Sequence, residues 1–169
     1  MKQVSSLVAV AVLVAFANGS QGGEKGPLDK DFVIKVASCN NAEIEVSKLA
    51  DSRSKTTEIR EFAGKLINDH KAAQDKLAEL IKNRKFGVVT GLEKEAREDI
   101  KRLGKLEGSA FDQAFLEHTV VEHKKAITMF ENQVKNGTDS EVRDYAKEML
   151  PDLQKHLKKA QELSKTAGR

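Results

Sequence analysis

At 169 residues the chain has the length of one domain and can bury a substantial apolar core. Charged residues make up 33% of it and aromatics 5%, with two prolines and no Trp, which favours a helical bundle over a β-sandwich or barrel. The formal charge of +3 comes from interleaved Lys/Arg and Asp/Glu, which excludes the concentrated basic footprint of a nucleic-acid binder.

Residues 1–17 read as a secretory signal peptide. Lys2 supplies a positive start, Leu7 to Phe16 form an apolar run, and Ala15-Phe16-Ala17 is a small-x-small cleavage signal, so the expected location is the periplasm. The run is short for a bilayer span, and a Gly-rich polar leader, residues 18–28, follows at once. Cys39 is the single cysteine, so no intramolecular disulfide can form. It lies far beyond where a lipid-modified cysteine would stand and reads as a small buried hydrophobe.

The remaining chain, 29–165, reads as one domain of four long helices. Helix spacing runs over about 29–53 (Phe32, Val36, Cys39, Val46, Ala50) and 57–83 (Ile59, Phe62, Ala63, Leu66, His70, Ala73, Leu77, Leu80). A connector, 84–108, carries a short amphipathic helix from Leu92 to about Leu106, with Leu92, Ala96, Ile100 and Leu103 on one side. Spacing resumes over about 109–135 (Leu116, Val120, His123, Ile127, Phe130, Val134) and 139–165 (Val142, Tyr145, Ala146, Met149, Leu153, His156, Ala160, Leu163). Asn136-Gly137 ends the third long helix, and Thr138 with Glu141 has the spacing of a capping box for the fourth.

The two halves repeat. At an offset of 83 residues, Glu58 matches Glu141, Arg60 Arg143, Phe62 Tyr145, Ala63 Ala146 and Asp69 Asp152; Phe32 matches Phe115 and Ile44 Ile127. Two helical hairpins joined by a long connector fit a four-helix bundle with one crossover. Pro151 interrupts the second copy inside its helix, where it removes a backbone hydrogen bond and displaces the carbonyl of Lys147.

Four segments in order, AEIEVSKLA (42–50), EIREFAGKLINDHKAA (58–73), FDQAFLEHTVVEHKKAITMFE (111–131) and VRDYAKEMLPDLQKHLKKA (142–160), resemble the exported bacterial family called Domain of Unknown Function 4142. The resemblance covers about residues 29–161. It implies a ferritin-like helical bundle, export to the periplasm and frequent description as an outer-membrane protein, with no known activity. One departure is visible: around the middle of the first helix, where such sequences often carry glycines, this chain has Asn40, Asn41 and Ser47.

Glu43, His70, His123 and His156 each occupy the apolar stripe of a different helix, near its middle, so a closed bundle could bring them to one level. Imidazole with carboxylate suits Zn, Cu or Fe, and Asp69, Glu122 and Asp152 stand nearby as supporting carboxylates. The Glu-x-x-His spacing of di-iron bundles is missing, and hydrogen-bonded core residues that set helix register are the competing reading. His118 reads as an exposed surface histidine. No Ser/His/Asp order, Cys-His pair or phosphate loop supplies catalysis. The primary expectation is therefore an exported, non-catalytic binding or stress-associated structural protein; the alternative is a ferritin-like metal-binding or metal-dependent redox protein. Lys155, Lys158, Lys159 and Lys165 complement the last helix dipole, with weak peripheral membrane association as a lesser reading.

Overall fold

A computed structural model describes residues 29–82 and 91–167. The expected signal peptide, the leader and residues 83–90 of the connector lie outside them. The described residues form five α-helices and no strand: α1 (Asp29–Arg53), α2 (Thr57–Ile81), α3 (Lys94–Leu103), α4 (Gly108–Asn136) and α5 (Ser140–Thr166). Among the described residues no helix is long and apolar enough to cross a membrane. The protein is all-α, a helical bundle.

The helices pair in chain order. α1 packs along α2 and α4 along α5; α2 then meets α5 and α1 meets α4, while the short α3 lies against α1 and α4. Each hairpin turn is held by the same repeat residue. Arg60 donates to the carbonyl of Ser54 at 3.3 Å, and Arg143 donates to the carbonyl of Gly137 at 2.9 Å, six residues back in both cases. The conserved spacing between the two halves thus has a mechanical cause: the arginine closes the loop that precedes its own helix. Gly137 must be glycine, because a Cβ there would come within 2.6 Å of the Gln133 carbonyl oxygen.

The cap of α5 differs from the expected capping box. Asp139 is the N-cap, accepting from the amides of Glu141 and Val142 at 3.0 and 3.1 Å. The Thr138 hydroxyl instead donates to Asp29, which also accepts from the amides of Thr138 and Asp139 and from Gln133. Burial opposes the Asp29 charge, yet the hydrogen bonds from Thr138, Gln133 and Asp139 prevail and hold its pKa low. Asp29 thereby pins the start of α1 to the α4–α5 turn. At the other hairpin, Thr56 donates to Asp112 at 2.7 Å, tying the α1–α2 turn to α4. Pro151 sits inside α5 on its exposed side, and the helix continues through it.

The core is divided in two. One apolar cluster gathers Val46, Ala50, Ile59, Phe62, Leu66, Leu103, Phe111, Phe115, Leu116 and Ala160; the other gathers Phe32, Val33, Val36, Leu77, Phe130, Val142, Tyr145 and Leu153. Between them in every long helix stands a buried polar group: Asn40, Glu43 and Ser47 in α1, His70 in α2, Thr119 and His123 in α4, His156 in α5. Burying such groups is costly unless they are partnered, so this middle layer is where function is to be sought.

Candidate metal centre

Helical spacing explains how the layer forms. His70, His123 and His156 each continue a stripe of apolar residues that faces the bundle interior, so packing the two clusters carries the imidazoles inward with them. All three are nearly inaccessible, at 5%, 1% and 3% exposure. Their rings form a triangle with centroid separations of 5.6, 5.6 and 5.3 Å. One ring nitrogen from each lies within 4.8 Å of one nitrogen on each of the others.

The hydrogen bonds assign the protons. His123 Nδ1 faces the Thr119 carbonyl oxygen at 3.0 Å, which can only accept, so Nδ1 carries the hydrogen and Nε2 a lone pair. His156 Nε2 faces Asp69 Oδ2 at 2.7 Å and must donate to it, leaving a lone pair on Nδ1. The Asn40 amide donates to Gln74 Oε1 at 3.2 Å, which turns its own oxygen toward His70 Nδ1 at 3.1 Å. His70 Nδ1 therefore donates, and Nε2 is left buried with no partner. Each imidazole spends its N–H on an oxygen outside the triangle and keeps a lone pair for the centre.

The consequence is sharpest between His123 Nε2 and His156 Nδ1, which are 3.3 Å apart. Protonating His156 would turn this contact into a hydrogen bond, because an imidazolium donates from both nitrogens. Burial is the largest influence on His156 and lowers its pKa, outweighing the hydrogen bond that His156 donates to Asp69, which raises it. His123 is pushed down to about 3 by burial and then by His156; His70 lies well below the ordinary histidine value, again mainly through burial. At neutral pH all three are uncharged, and two lone pairs confront each other. A cation between them relieves that conflict and occupies the orphaned His70 Nε2. Metal–nitrogen bonds of about 2.0–2.1 Å in tetrahedral geometry place ligand nitrogens roughly 3.3–3.4 Å apart, the separation already present between His123 and His156.

The outer contacts are those a metal site requires. Asp69 has its charge opposed by burial but sustained by hydrogen bonds from Lys65, at 2.6 Å, and from His156, and its pKa is lowered. Imidazole backed by carboxylate, carbonyl and amide oxygen fixes both tautomer and ring orientation. A cleft lined by Asp69, Ala73, Lys76, Met149 and Asp152 opens onto His70 and His156.

The structure brings together His70, His123 and His156, with Asp69 as their supporting carboxylate. It does not bring Glu43 or Glu122 to them. Glu122 precedes His123 by one residue and is therefore rotated about 100° around α4, toward α1 and α3. Glu43 sits one turn beyond Asn40 and faces His118, with 3.9 Å between Oε1 and Nε2. Asp152 borders the cleft and pairs with Lys155 at 2.9 Å. Two expectations are corrected. His118 is covered rather than exposed, its side chain 8% accessible, because α3 lies over it. Cys39 is half-buried and borders the Glu43 cleft, where burial pushes its thiol up to about 11 and keeps it protonated.

Asn40 and Thr119 carry no strong sequence signal, yet they orient two of the rings. The repeat offers one for Asn40: 83 residues on, its counterpart is His123. The α1 position that faces α2 is thus filled by an amide in the first half and by an imidazole in the second.

Fold and site together define an all-α bundle with a buried, three-imidazole cluster at mid-height. The chain belongs to the family described as Domain of unknown function (DUF4142), whose model matches residues 17–163. Solved structures share the fold at low identity. A DUF305 fragment from Deinococcus radiodurans superposes with a TM-score of 0.74 at 13% identity, covering 84% of this chain and 98% of that one. CopM in its Cu(II)-bound form gives 0.71 at 14% identity, with 83% and 98% covered; its Cu(I)-bound form gives 0.69 at 15%, with 82% and 96% covered. No curated protein matches the chain.

Proposed function

We propose that this protein is an exported, non-catalytic metal-binding bundle whose site is the imidazole triangle of His70, His123 and His156, and that its metal is copper, with zinc as the competing ion. The observation that carries the reading is the inward set of three lone pairs, two of them 3.3 Å apart, fixed by N–H donation to Thr119, Asp69 and Asn40. Among divalent first-row ions copper binds such nitrogen donors most tightly, and imidazole suits zinc as well. Two further facts support it. A protein of similar fold has been solved with copper in both oxidation states. The expected signal peptide, residues 1–17, would export the chain, so that the site could take up metal outside the cytoplasm.

A site buried this deeply, with its rings oriented in advance, suits holding a metal better than turning over a substrate. Protein purified metal-free and titrated with Cu(I), Cu(II) or Zn(II) against a competing chelator is expected to bind one equivalent at the triangle, and His123→Ala or His70→Ala to weaken it by more than a hundredfold. Absence of stoichiometric copper or zinc, together with no thermal stabilisation by either, would sink the proposal. The competing view, three core histidines that merely set register, predicts that same absence and unchanged melting in the presence of metal.

A further inference from the structure

A buried triangle has to be reached by its metal, and two openings between α2 and α5 lead toward it. One touches His156 alone and is bordered by Lys65, Lys155 and Lys159 against Glu58 and Glu61. The other touches both His70 and His156 and carries Lys76 against Asp69 and Asp152. The ion pairs Lys65–Asp69 and Lys155–Asp152 are turned so that their lysines border the first opening and their carboxylates the second. Lys76 is itself paired with Glu148 at the surface. A cation is thus repelled by the first opening and admitted by the second. The second encloses about 110 Å³, room for an ion with several waters.

One side chain of this cleft takes no part in the hydrogen bonding that orients the rings. Met149 is half-buried and lies three residues before Asp152 and seven before His156, on the side of α5 that borders the cleft. Seven residues of helix span roughly 10 Å, so an ion held in the triangle is out of reach of its sulfur. Met149 stands along the way in. One turn before it, the Tyr145 hydroxyl donates to the Ala73 carbonyl at 3.2 Å and ties α5 to α2 beside the cleft. Thioether sulfur is a soft donor that suits Cu(I), whereas zinc takes thiolate, imidazole and carboxylate. A methionine here therefore distinguishes the two ions that the imidazoles alone accept.

We propose that copper enters the triangle as Cu(I) through the cleft of Met149, and that Met149 Sγ is the ligand that selects the ion and passes it inward, which holds only if the triangle is the metal site. A Cu–Sγ bond forms as the incoming ion gives up a water or a carrier ligand, and it breaks as the His70 and His156 lone pairs replace the sulfur. Copper stays Cu(I) throughout. No proton moves, because each ring keeps its N–H on its outer oxygen.

Cu(I) supplied from a coloured chelator, and Zn(II) from another, can be followed by stopped flow at protein concentrations where the wild-type rate still rises with protein. Met149→Leu conserves volume; it should slow Cu(I) uptake by about tenfold and leave Zn(II) uptake and the equilibrium Cu(I) affinity unchanged. Met129→Leu, in a groove beside α1, should change neither rate. Ala73→Leu fills the cleft and should slow both ions; if it fails to fold, Met149→Leu decides. An unchanged Cu(I) rate in Met149→Leu would overturn the inference, as would equal slowing of Zn(II), the mark of a methionine that only packs the core. Unslowed uptake by folded Ala73→Leu would overturn the route. A wild-type chain that binds neither ion at equilibrium would instead overturn the triangle itself.

Discussion

α4 presents two polar faces, and they solve the same problem differently. Toward α2 and α5 it turns Thr119 and His123, and there every ring N–H is placed on a fixed oxygen, so the only unmet groups are lone pairs aimed at a common point. Toward α1 and α3 it turns His118 and Glu122, where the donors stand apart by 3.6 and 3.9 Å and a carboxyl oxygen is left unpaired. The first face is pre-organised and nitrogen-rich; the second is looser and oxygen-rich. One residue of rotation along α4 separates them, because adjacent residues on a helix point to different faces.

The two faces also titrate in opposite senses. The triangle histidines have folded pKa values below their unfolded value near 6.5, so the folded state binds fewer protons, and stability is lost as pH falls below that value. Glu43 is raised to about 8, by burial first and by Glu122 second. It holds a proton in the fold, and its contribution is present below about 4.5 and declines as pH rises through 8.

The largest expected effect tests the first half of that contrast. Metal-free protein unfolded by urea should lose about 2 kcal/mol between pH 6.5 and 4.5 from His123 alone, and His123→Leu should flatten that acid limb. A limb of unchanged steepness in the variant would mean that the triangle is already charged at neutral pH. Next, Asn40→Ala removes the oxygen that orients His70 and Asp69→Asn the charge that backs His156; each should lower copper affinity about 10–100-fold. Copper affinity unchanged in both variants would mean that these oxygens do not hold the rings. Glu43→Gln should then make the metal-free protein more stable at pH 8 than the wild type, by about 1–3 kcal/mol, since it removes a buried carboxyl that must ionise; the comparison of melting curves at pH 5.5 and 8 reads it. Smallest is Lys65→Met. The Lys65–Asp69 pair is exposed on the lysine side, and its loss should cost less than about 1 kcal/mol and shift copper affinity little, because Asp69 keeps His156.

Much of the fold is legible in the residues because helix periodicity and turn chemistry are local. α1 runs over the 29–53 that its spacing indicates, and α4 starts one residue before and ends one after the expected 109–135. The turn beginning at Gly137 and the paired arginines follow from the same kind of local pattern. The cap of α5 falls one residue later than the spacing indicates, because Thr138 and Asp139 are both good caps and the choice rests with Asp29, 110 residues before Asp139, which claims the threonine. The buried histidines were legible for a related reason: a polar residue in an apolar stripe must be buried wherever the stripe is.

The sequence by itself determined the helices, the repeat and which polar residues enter the core, since these depend on spacing along one helix. Only the tertiary structure decided which of them meet. Glu43 and His70 are both interior, but whether they share a site depends on the rotation of α1 against α2 and on α3 covering His118, and neither is encoded within any one helix. Asn40, which local pattern marks only as a polar residue, became the group that orients His70, because that contact exists only once α1 lies against α2.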